Sequence, residues 1–178
     1  MTMRATAEGR GSASLTDPDL RAELARLHFE SHAWAVRCCR GHAIEAEDVL
    51  HRAYVKVLDG KARFLGRSSF KTWLFGVIRQ TAREHVRQGW LRLTRLERWW
   101  REREPNEPSY GEDARIVRLR LVLQRLSRRQ QEVLHLVFYQ NLTIQEAADV
   151  LGMPVGTART HYERGKSRLR DLLGEEAP

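Results

Sequence analysis

The chain has 178 residues, of which 42% are hydrophobic and 30% charged, a composition typical of one or two small water-soluble domains. Its net charge of +8 favours a polyanionic partner such as nucleic acid, although an acidic membrane surface would attract the same charge. No apolar run approaches the roughly 20 residues that span a bilayer, and residues 1–15 lack the apolar stretch of a secretory signal. The sequence therefore predicts a cytoplasmic protein, not an integral membrane protein, with a disordered tail over 1–15.

The first predicted helix begins at Thr16, Asp17 and Pro18, which fit a capping residue followed by proline in the first turn. It is expected to run without interruption to about Arg40, where Gly41 ends it. Its inward stripe recurs at helical spacing and contains Leu20, Leu24, Leu27, Ser31 and Trp34.

The two cysteines, Cys38 and Cys39, are neighbours in the sequence. Neighbouring side chains on a helix point about 100° apart, so this pair is poorly placed to form a disulfide and suits a reducing compartment. His28, His32 and His42 lie nearby, which leaves a metal or redox sensor open. The favoured interpretation is a small buried thiol beside surface histidines, because no Cys-x-x-Cys ligand spacing is present.

A second helix is predicted to start near Glu45, because Glu45, Glu47 and Asp48 place negative charge where the helix dipole favours it. The residues alone leave two interpretations open for these acids. They either cap the dipole or form an acidic docking point for a basic partner surface. The apolar face of the helix contains Val49, Leu50, Ala53, Tyr54, Val57 and Leu58.

Residues 59–69 form a predicted loop, and Ser68 or Ser69 is expected to cap the third helix. The apolar stripe of this helix contains Phe70, Trp73, Leu74, Val77, Ile78, Ala82 and Val86.

Nine Lys or Arg residues and a single acid occupy residues 61–95. Cations interleaved with aromatic rings are typical of surfaces that bind single-stranded nucleic acid, where phosphates meet the cations and bases stack on the rings. The alternative is that the rings are core, which we expect to hold in part for Phe70 and Trp73. Phe64, in the loop, is then the better candidate for touching a base. The interleaved aromatic residues are Phe64, Phe70, Trp73 and Phe75.

Residues 89–113 are predicted to be a flexible linker, because their mixed charge, prolines and glycine leave too little apolar content for a core. Trp90, Trp99 and Trp100 are unusual in this setting, since exposed tryptophans usually mark a contact surface. They are expected to pack on the first domain or to be buried by a partner.

Two capping boxes of the form S/T-x-x-E/Q follow the linker and mark two helix starts. Gly152 suits the end of the second of these helices, and Pro154 suits the start of the next one. The capping pairs are Ser127 with Gln130 and Thr143 with Glu146.

The last helix has an apolar face and a basic face. A short helix, a glycine turn and a second helix with a basic outer face predict a helix-turn-helix whose second helix enters a DNA major groove. The alternative is an ordinary helical hairpin with a solvated basic face. The inward residues are Val155, Ala158, Tyr162, Gly165, Leu169 and Leu172, and the outward residues are Thr157, Arg159, Thr160, Arg164 and Arg168.

The predicted fold class is therefore all-α, with two small helical domains at residues 16–88 and 114–174 joined by the linker. The sequence contains no P-loop, no H-E-x-x-H metal motif and no nucleophile elbow. We expect a binding protein that is not an enzyme, with no catalytic residue, no metal and no cofactor.

Three stretches, at residues 45–58, 66–87 and 126–173, resemble the extracytoplasmic-function (ECF) group of sigma-70 RNA polymerase sigma factors. EAEDVLHRAYVKVL is similar to the acidic-headed helix of the family's region 2, and GRSSFKTWLFGVIRQTAREHVR to its S-F-x-T-W-L segment and following helix. The last stretch resembles region 4, the family's helix-turn-helix. They occur in the family's order with a linker between them.

The resemblance implies that the acidic-headed helix binds the clamp helices of the largest subunit of core RNA polymerase. Region 4 is expected to meet the flap of the second-largest subunit, and the linker to pass near the RNA exit path. A separate anti-sigma factor is the expected regulator, since no further domain follows Leu173. The implied polymerase-binding residues are Glu45, Glu47, Asp48, His51 and Arg52.

The resemblance also implies two contacts with promoter DNA. Region 2 holds the non-template strand of the −10 element, with one flipped base at the loop 59–67, and helps to melt the duplex. Region 4 reads the −35 duplex. The candidates for the single strand are Lys61, Arg63, Phe64, Arg67, Ser69, Lys71, Trp73, Arg79, Gln80 and Arg83. The candidates for the duplex are Thr143, Thr157, Arg159, Thr160, His161, Arg164, Lys166 and Arg168.

The chain departs from the family's pattern at several positions. His51 and Arg52 stand where Gln-Glu is often found, and Gly76 and Gln80 stand where Arg and Asn are common. His161 occupies a position where a basic residue is frequent.

Two alternative functions remain at this level. One is a stand-alone helix-turn-helix regulator whose first domain senses a metal or ligand through Cys38, Cys39 and the histidines. The other is an RNA-binding or structural protein that uses the same basic surface.

Overall fold

The computed structural model describes residues 17–92 and 121–174, and every regular element in these two ranges is helical. The N-terminal domain contains α1 (Asp17–Arg26), α2 (His28–Cys38), α3 (Ala43–Leu58) and α4 (Phe70–Arg92). The C-terminal domain contains α5 (Arg128–Leu134), a π-helical turn (His135–Tyr139), α6 (Ile144–Leu151) and α7 (Val155–Gly174).

The prediction of one continuous helix up to Arg40 is wrong, because the helix is interrupted at Leu27 and divides into α1 and α2. Leu27 has φ −92° and ψ 5°, outside helical geometry. Leu24, in α1, and Leu27, at the bend itself, are both buried. Burial of these two side chains on one core therefore outweighs the local preference for a continuous helix.

The core of the N-terminal domain lies between α2, α3 and α4, and Trp34 is at its centre. The indole Nε1 of Trp34 donates a hydrogen bond to the carbonyl of Phe75 at 3.0 Å, and the two rings stack with centroids 6.1 Å apart. Both side chains are fully buried. Phe75 is therefore a core residue, which agrees with the alternative that the aromatic rings pack in the core instead of binding bases.

The predicted apolar face of α3 is confirmed at Val49, Leu50, Ala53 and Val57, which are buried, but it is wrong at Leu58, which is 41% exposed at the end of the helix. The loop that follows leads into α4, and Ser69 is the residue that caps it. The Ser69 hydroxyl oxygen accepts a hydrogen bond from the backbone N–H of Thr72 at 3.1 Å.

Both predicted capping boxes are confirmed in the C-terminal domain, at the starts of α5 and α6. Gly152 ends α6 with a φ of 57°, a left-handed conformation that favours glycine. Gly165 brings α7 close to α5, since a Cβ added there would lie 3.0 Å from Leu134 Cδ1. The predicted inward position of Val155 is wrong, because Val155 is partly exposed in the first turn of α7.

The two domains pack against each other, chiefly through α4 and α6, and share one hydrophobic cluster. α4 continues to Arg92 and so includes the first four residues of the predicted linker. Trp99 and Trp100 lie outside the described residues. Within residues 17–92 and 121–174, no helix is long and apolar enough to cross a membrane.

Candidate nucleic-acid interfaces

An open groove of about 590 Å³ runs along one side of α4 in the N-terminal domain. One face of α4 forms the floor of the groove, since three residues at helical spacing line it: Trp73, Gly76 and Gln80. They contribute an aromatic ring, a position without a side chain and a carboxamide. Gly76 leaves open space where a Cβ would stand. The other lining residues include Lys56 from α3, Lys61, Ala62 and Ser68 from the loop, Glu84 from α4, and Asp149 from α6.

Polar side chains at one end of the groove are fixed by hydrogen bonds. Lys56 Nζ donates to Glu84 Oε2 at 2.5 Å and to Thr81 Oγ1 at 3.1 Å, while Gln80 Nε2 donates to Glu84 Oε1 at 3.1 Å. The hydrogen bond from Lys56 is the main reason that the pKa of Glu84 is lowered. The Gln80 amide nitrogen is therefore held by the carboxylate, and the carbonyl oxygen is the acceptor that this side chain retains.

Phe64, Phe70 and Trp73 form a cluster of three rings with centroids 5.2 to 5.4 Å apart. Of the three, Trp73 lines the groove, and Phe64 supports it from the loop. The structure thus brings together the loop and the start of α4, as the sequence predicted, and of the three rings it is that of Trp73 that lines the groove.

Two of the predicted strand-binding cations face the C-terminal domain instead of the groove. Arg79 is only 8% exposed, and its Nη2 lies 3.8 Å from a carboxylate oxygen of Glu132. Lys71 Nζ donates to the backbone carbonyl of Gln140 at 2.9 Å and forms an ion pair with Glu30 at 3.1 Å. The predicted cations Lys61, Arg63, Arg67 and Arg83 remain exposed.

The outward face of α7 is as the sequence predicts. Thr157, Arg159, Thr160, Arg164 and Arg168 are exposed, and His161 and Lys166 are half-buried. Lys166 lies over the ring of Tyr162 at 5.3 Å from its centroid and forms a weak 3.7 Å pair with Glu163. Thr143, the remaining duplex candidate, uses its hydroxyl oxygen to cap α6 by accepting from the Glu146 N–H.

Comparison with known proteins identifies this arrangement. Residues 26–92 match the family model of Sigma-70 region 2, and residues 122–171 match that of Sigma-70 region 4. The chain is 30% identical over 148 residues to the ECF RNA polymerase sigma factor SigX of Bacillus subtilis, with 74% of each chain covered. The chain belongs to the sigma-70 family, in its ECF group.

Other sigma factors have similar sequences. RNA polymerase sigma factor YlaC of Bacillus subtilis is 28% identical over 74% of this chain and 79% of that protein. The ECF RNA polymerase sigma factor SigC of Mycobacterium tuberculosis is 30% identical over 70% of this chain and 68% of that protein.

Two solved structures share the fold, one of them a sigma factor by name. RpoE of Bartonella quintana, in complex with the anti-sigma factor NepR, has a TM-score of 0.67 at 21% identity, with 89% of this chain and 99% of that chain covered. CnrH in complex with the cytosolic domain of CnrY has a TM-score of 0.62 at 21% identity, with 91% and 92% covered.

The helix with the acidic first turns is α3, and one face of it is exposed. Ile44 is 86% exposed and Glu47 is exposed beside it. Asp48 is engaged in the same domain, since it pairs with Arg52 at 2.9 Å and lies 3.3 Å from His85. His51 and Glu47 also line a second open groove, between α2 and α3, together with His28 and His32.

The cysteines of this sigma factor are buried and free. Burial raises the pKa of the Cys38 thiol strongly and that of Cys39 to about 12, so neither ionises near neutral pH. Among the described residues, no group of three or more His, Cys, Asp or Glu side chains is arranged to hold a metal ion. The burial of both thiols and their raised pKa values favour the interpretation of the cysteines as small buried thiols.

Sequence reasoning missed several residues of the α4 groove. Four lining residues come from outside the turn of α4 that contains Trp73, and no local sequence pattern marks them as its neighbours. They are Lys56, Ala62, Glu84 and Asp149. Gly76 did carry a signal, since a glycine inside a helix costs stability and usually serves close approach or open space.

Proposed function

We propose that this sigma factor binds core RNA polymerase and directs promoter-specific initiation, with the α4 groove holding the −10 strand and α7 reading the −35 duplex. The observation that carries this proposal is the pair of basic surfaces, one beside an aromatic groove and one on an exposed helix. The protein would act in the cytoplasm, where bacterial polymerase works.

The −10 contact is supported by the chemistry of the groove. An unstacked base can lie against Trp73 above the open space at Gly76, while the exposed cations Lys61, Arg63 and Arg67 meet phosphates. Gln80 offers its carbonyl oxygen to a base edge. Ser69 supports the site by capping α4.

The −35 contact is supported by the exposed polar face of α7. Thr157, Arg159 and Thr160 lie in its first turns, which is the part of a recognition helix that reaches base edges in the major groove. Arg164, Lys166 and Arg168 lie further along and suit phosphates, which position the protein without reading sequence.

The proposed mechanism is physical and requires no catalytic group. Phosphate contacts anchor the protein on the duplex at −35, and the groove then binds strand that has left the duplex. Because each extruded base costs a few kcal/mol, binding of the strand in the groove stabilises the melted state relative to the closed duplex.

Core polymerase is the proposed partner of α3, through Ile44 and Glu47 on its exposed face. The clamp helices of the largest subunit and the flap of the second-largest subunit are the proposed docking points. An anti-sigma factor is the proposed regulator, supported by the complex of RpoE with the anti-sigma factor NepR.

In vitro transcription tests the proposal, using purified core polymerase and a pool of genomic promoter fragments with and without the protein. We expect discrete new start sites. Glu47→Lys should abolish them, since Glu47 is exposed and forms no ion pair with another residue of 17–92 or 121–174, whereas Asp48→Lys would also disturb Arg52 and His85. Glu23→Lys on α1 is the matched control, because it reverses one surface charge, which is paired with Arg26 on the same helix.

Absence of polymerase binding and of new transcripts, together with tight duplex binding by the protein alone, would contradict the proposal. It would favour the stand-alone regulator instead.

A further inference from the structure

We propose that the α4 groove selects bases that carry an exocyclic amino group and disfavours thymine, through the carbonyl oxygen of Gln80. The proposal rests on the proposed function, in which the groove holds the −10 strand, and it names the class of base that the groove accepts. Three features carry it: the fixed amide of Gln80, the charged carboxylate that fixes it, and hydroxyl groups that donate into the protein.

The amide of Gln80 has one favoured orientation. Its Nε2 donates a hydrogen bond to Glu84 Oε1 at 3.1 Å. If the amide turned over, its own oxygen would lie against that carboxylate, where two acceptors repel each other. Glu84 therefore fixes which end of the amide is held within the protein, and the carbonyl oxygen is the acceptor that remains for a ligand.

Glu84 keeps the charge that this orientation requires. The hydrogen bond from Lys56 Nζ is the largest cause of its lowered pKa, and burial opposes the shift. The carboxylate is therefore ionised near neutral pH. Lys56 also donates to Thr81 Oγ1 at 3.1 Å, so two of its three N–H groups are used within the protein.

Two hydroxyl groups that line the groove donate into the protein as well. Ser68 Oγ donates to the Ser69 carbonyl at 3.2 Å, and Thr81 Oγ1 donates to the Val77 carbonyl at 2.9 Å. A hydroxyl group has a single hydrogen, so each of these two has only oxygen lone pairs left for other partners. Together with the Gln80 carbonyl, they make this part of the groove a place where acceptors outnumber donors.

Acceptors of this kind suit a base with an amino group. Cytosine, adenine and guanine each carry one at an edge of the ring. Thymine has only a ring N–H between two carbonyl oxygens, which would meet the acceptors of the groove and the charge of Glu84. A base that lies on Trp73, over the open space at Gly76, would have its edge near Gln80, which follows Gly76 by one turn of α4.

Homopolymer single strands about 12 nucleotides long test the selection with the full chain, because every alignment of such a strand places the same base in the groove. Deoxycytidine and deoxyuridine strands form one pair, since uracil has a carbonyl group where cytosine has its amino group. Adenine and unsubstituted purine form the second pair. Anisotropy of the fluorescein-labelled strands near neutral pH measures the affinity ratio within each pair. We expect the amino-bearing strand to bind about five- to tenfold more tightly in both pairs.

Two variants assign the selection to the amide of Gln80 and to the residue that positions it. Gln80→Met keeps the length of this exposed side chain, removes its acceptor and should lower both ratios about threefold or more. Glu84→Ala allows the amide to turn over and should also lower both ratios, even if the lost negative charge tightens the binding of every strand. Glu23→Ala is the control, because it removes one carboxylate paired with a cation on α1, outside the groove, and should keep both ratios. Circular dichroism checks the helix content of each variant.

The ratios decide the proposal, since overall stability or net charge changes the affinity for both strands of a pair together. Equal affinities within both pairs for the wild-type chain would overturn it. Ratios that Gln80→Met leaves unchanged would overturn it too, as would a fall for Glu23→Ala as large as that for Glu84→Ala.

Failure of the base selection is distinguishable from failure of the sigma function. Normal promoter-dependent transcripts, with equal affinities within both pairs of strands, would reject only the selection. Selection that depends on Gln80, with no promoter-dependent transcripts, would reject only the proposed function.

Discussion

The indole ring of Trp34 stacks on the imidazole ring of His135 across the boundary between the two domains, with centroids 5.6 Å apart. Trp34 is also the centre of the N-terminal core. Burial, assisted by the charge of Arg37, lowers the pKa of His135 to about 4. The C-terminal domain thus contributes a histidine that is neutral near pH 7 to the contact between the domains.

The first prediction is that acid weakens the fold through His135. Its pKa of about 4 in the folded chain lies below the ordinary value of about 6.5, so the unfolded chain takes up the proton first. Stability is complete above about pH 6.5 and falls as the pH approaches 4, by about 3 kcal/mol in total. Urea unfolding followed by circular dichroism at several pH values measures this loss.

His135→Phe is the matched variant, because it keeps an aromatic ring and removes the titration. It should be less sensitive to pH between about 6.5 and 4.5. Glu84 and Glu146, whose pKa values are lowered from 4.5, lose their contributions only at lower pH. Parallel curves for the two proteins in this window would contradict the prediction.

The second prediction concerns the close approach of α5 and α7 at Gly165. Gly165→Ala would place a methyl group 3.0 Å from Leu134 Cδ1 and 3.2 Å from Gln130 Cβ. The Gln130 atom is fixed to the backbone, so we expect a net destabilisation of about 1–3 kcal/mol. Gly156→Ala in the same helix meets no atom within 4 Å and should not destabilise. Thermal unfolding compares the two, and equal melting temperatures would refute the argument.

The third prediction separates the cap role of Thr143 from DNA contact. Thr143→Ala removes the hydroxyl oxygen that accepts from the Glu146 N–H at 3.2 Å and should cost about 1 kcal/mol of stability. Thr143→Ser retains the cap and should unfold like the wild type. If the serine variant binds duplex DNA normally while the alanine variant is less stable, the residue acts as a cap. Lost duplex affinity in the serine variant would instead support direct contact.

The fourth prediction tests the open space at Gly76. Gly76→Ala replaces a helical glycine by a better helix former and should stabilise α4 by up to about 1 kcal/mol, with strand binding close to that of the wild type. Gly76→Leu fills the space beside Trp73 and Gln80 and should weaken strand binding about tenfold. Anisotropy with a labelled single strand distinguishes them, and full affinity in the leucine variant would exclude a base at this position.

The sequence by itself determined the local features of this sigma factor. The caps at Ser127 and Thr143, the left-handed Gly152 and the outward face of α7 were all predicted and are confirmed. Each depends on groups a few residues apart, which hydrogen bonding and helical periodicity fix before any distant contact forms.

Only the tertiary structure decided the break at Leu27, the π-helical turn at His135, and the placement of Lys71 and Arg79 against the C-terminal domain. On the sequence, Arg79 and the exposed Arg83 are equivalent basic residues one turn apart. They differ because α4 meets Glu132, which lies more than fifty residues away along the chain. Local chemistry sets the helices and their faces, whereas the partner of each face depends on packing between distant segments, which no short pattern encodes.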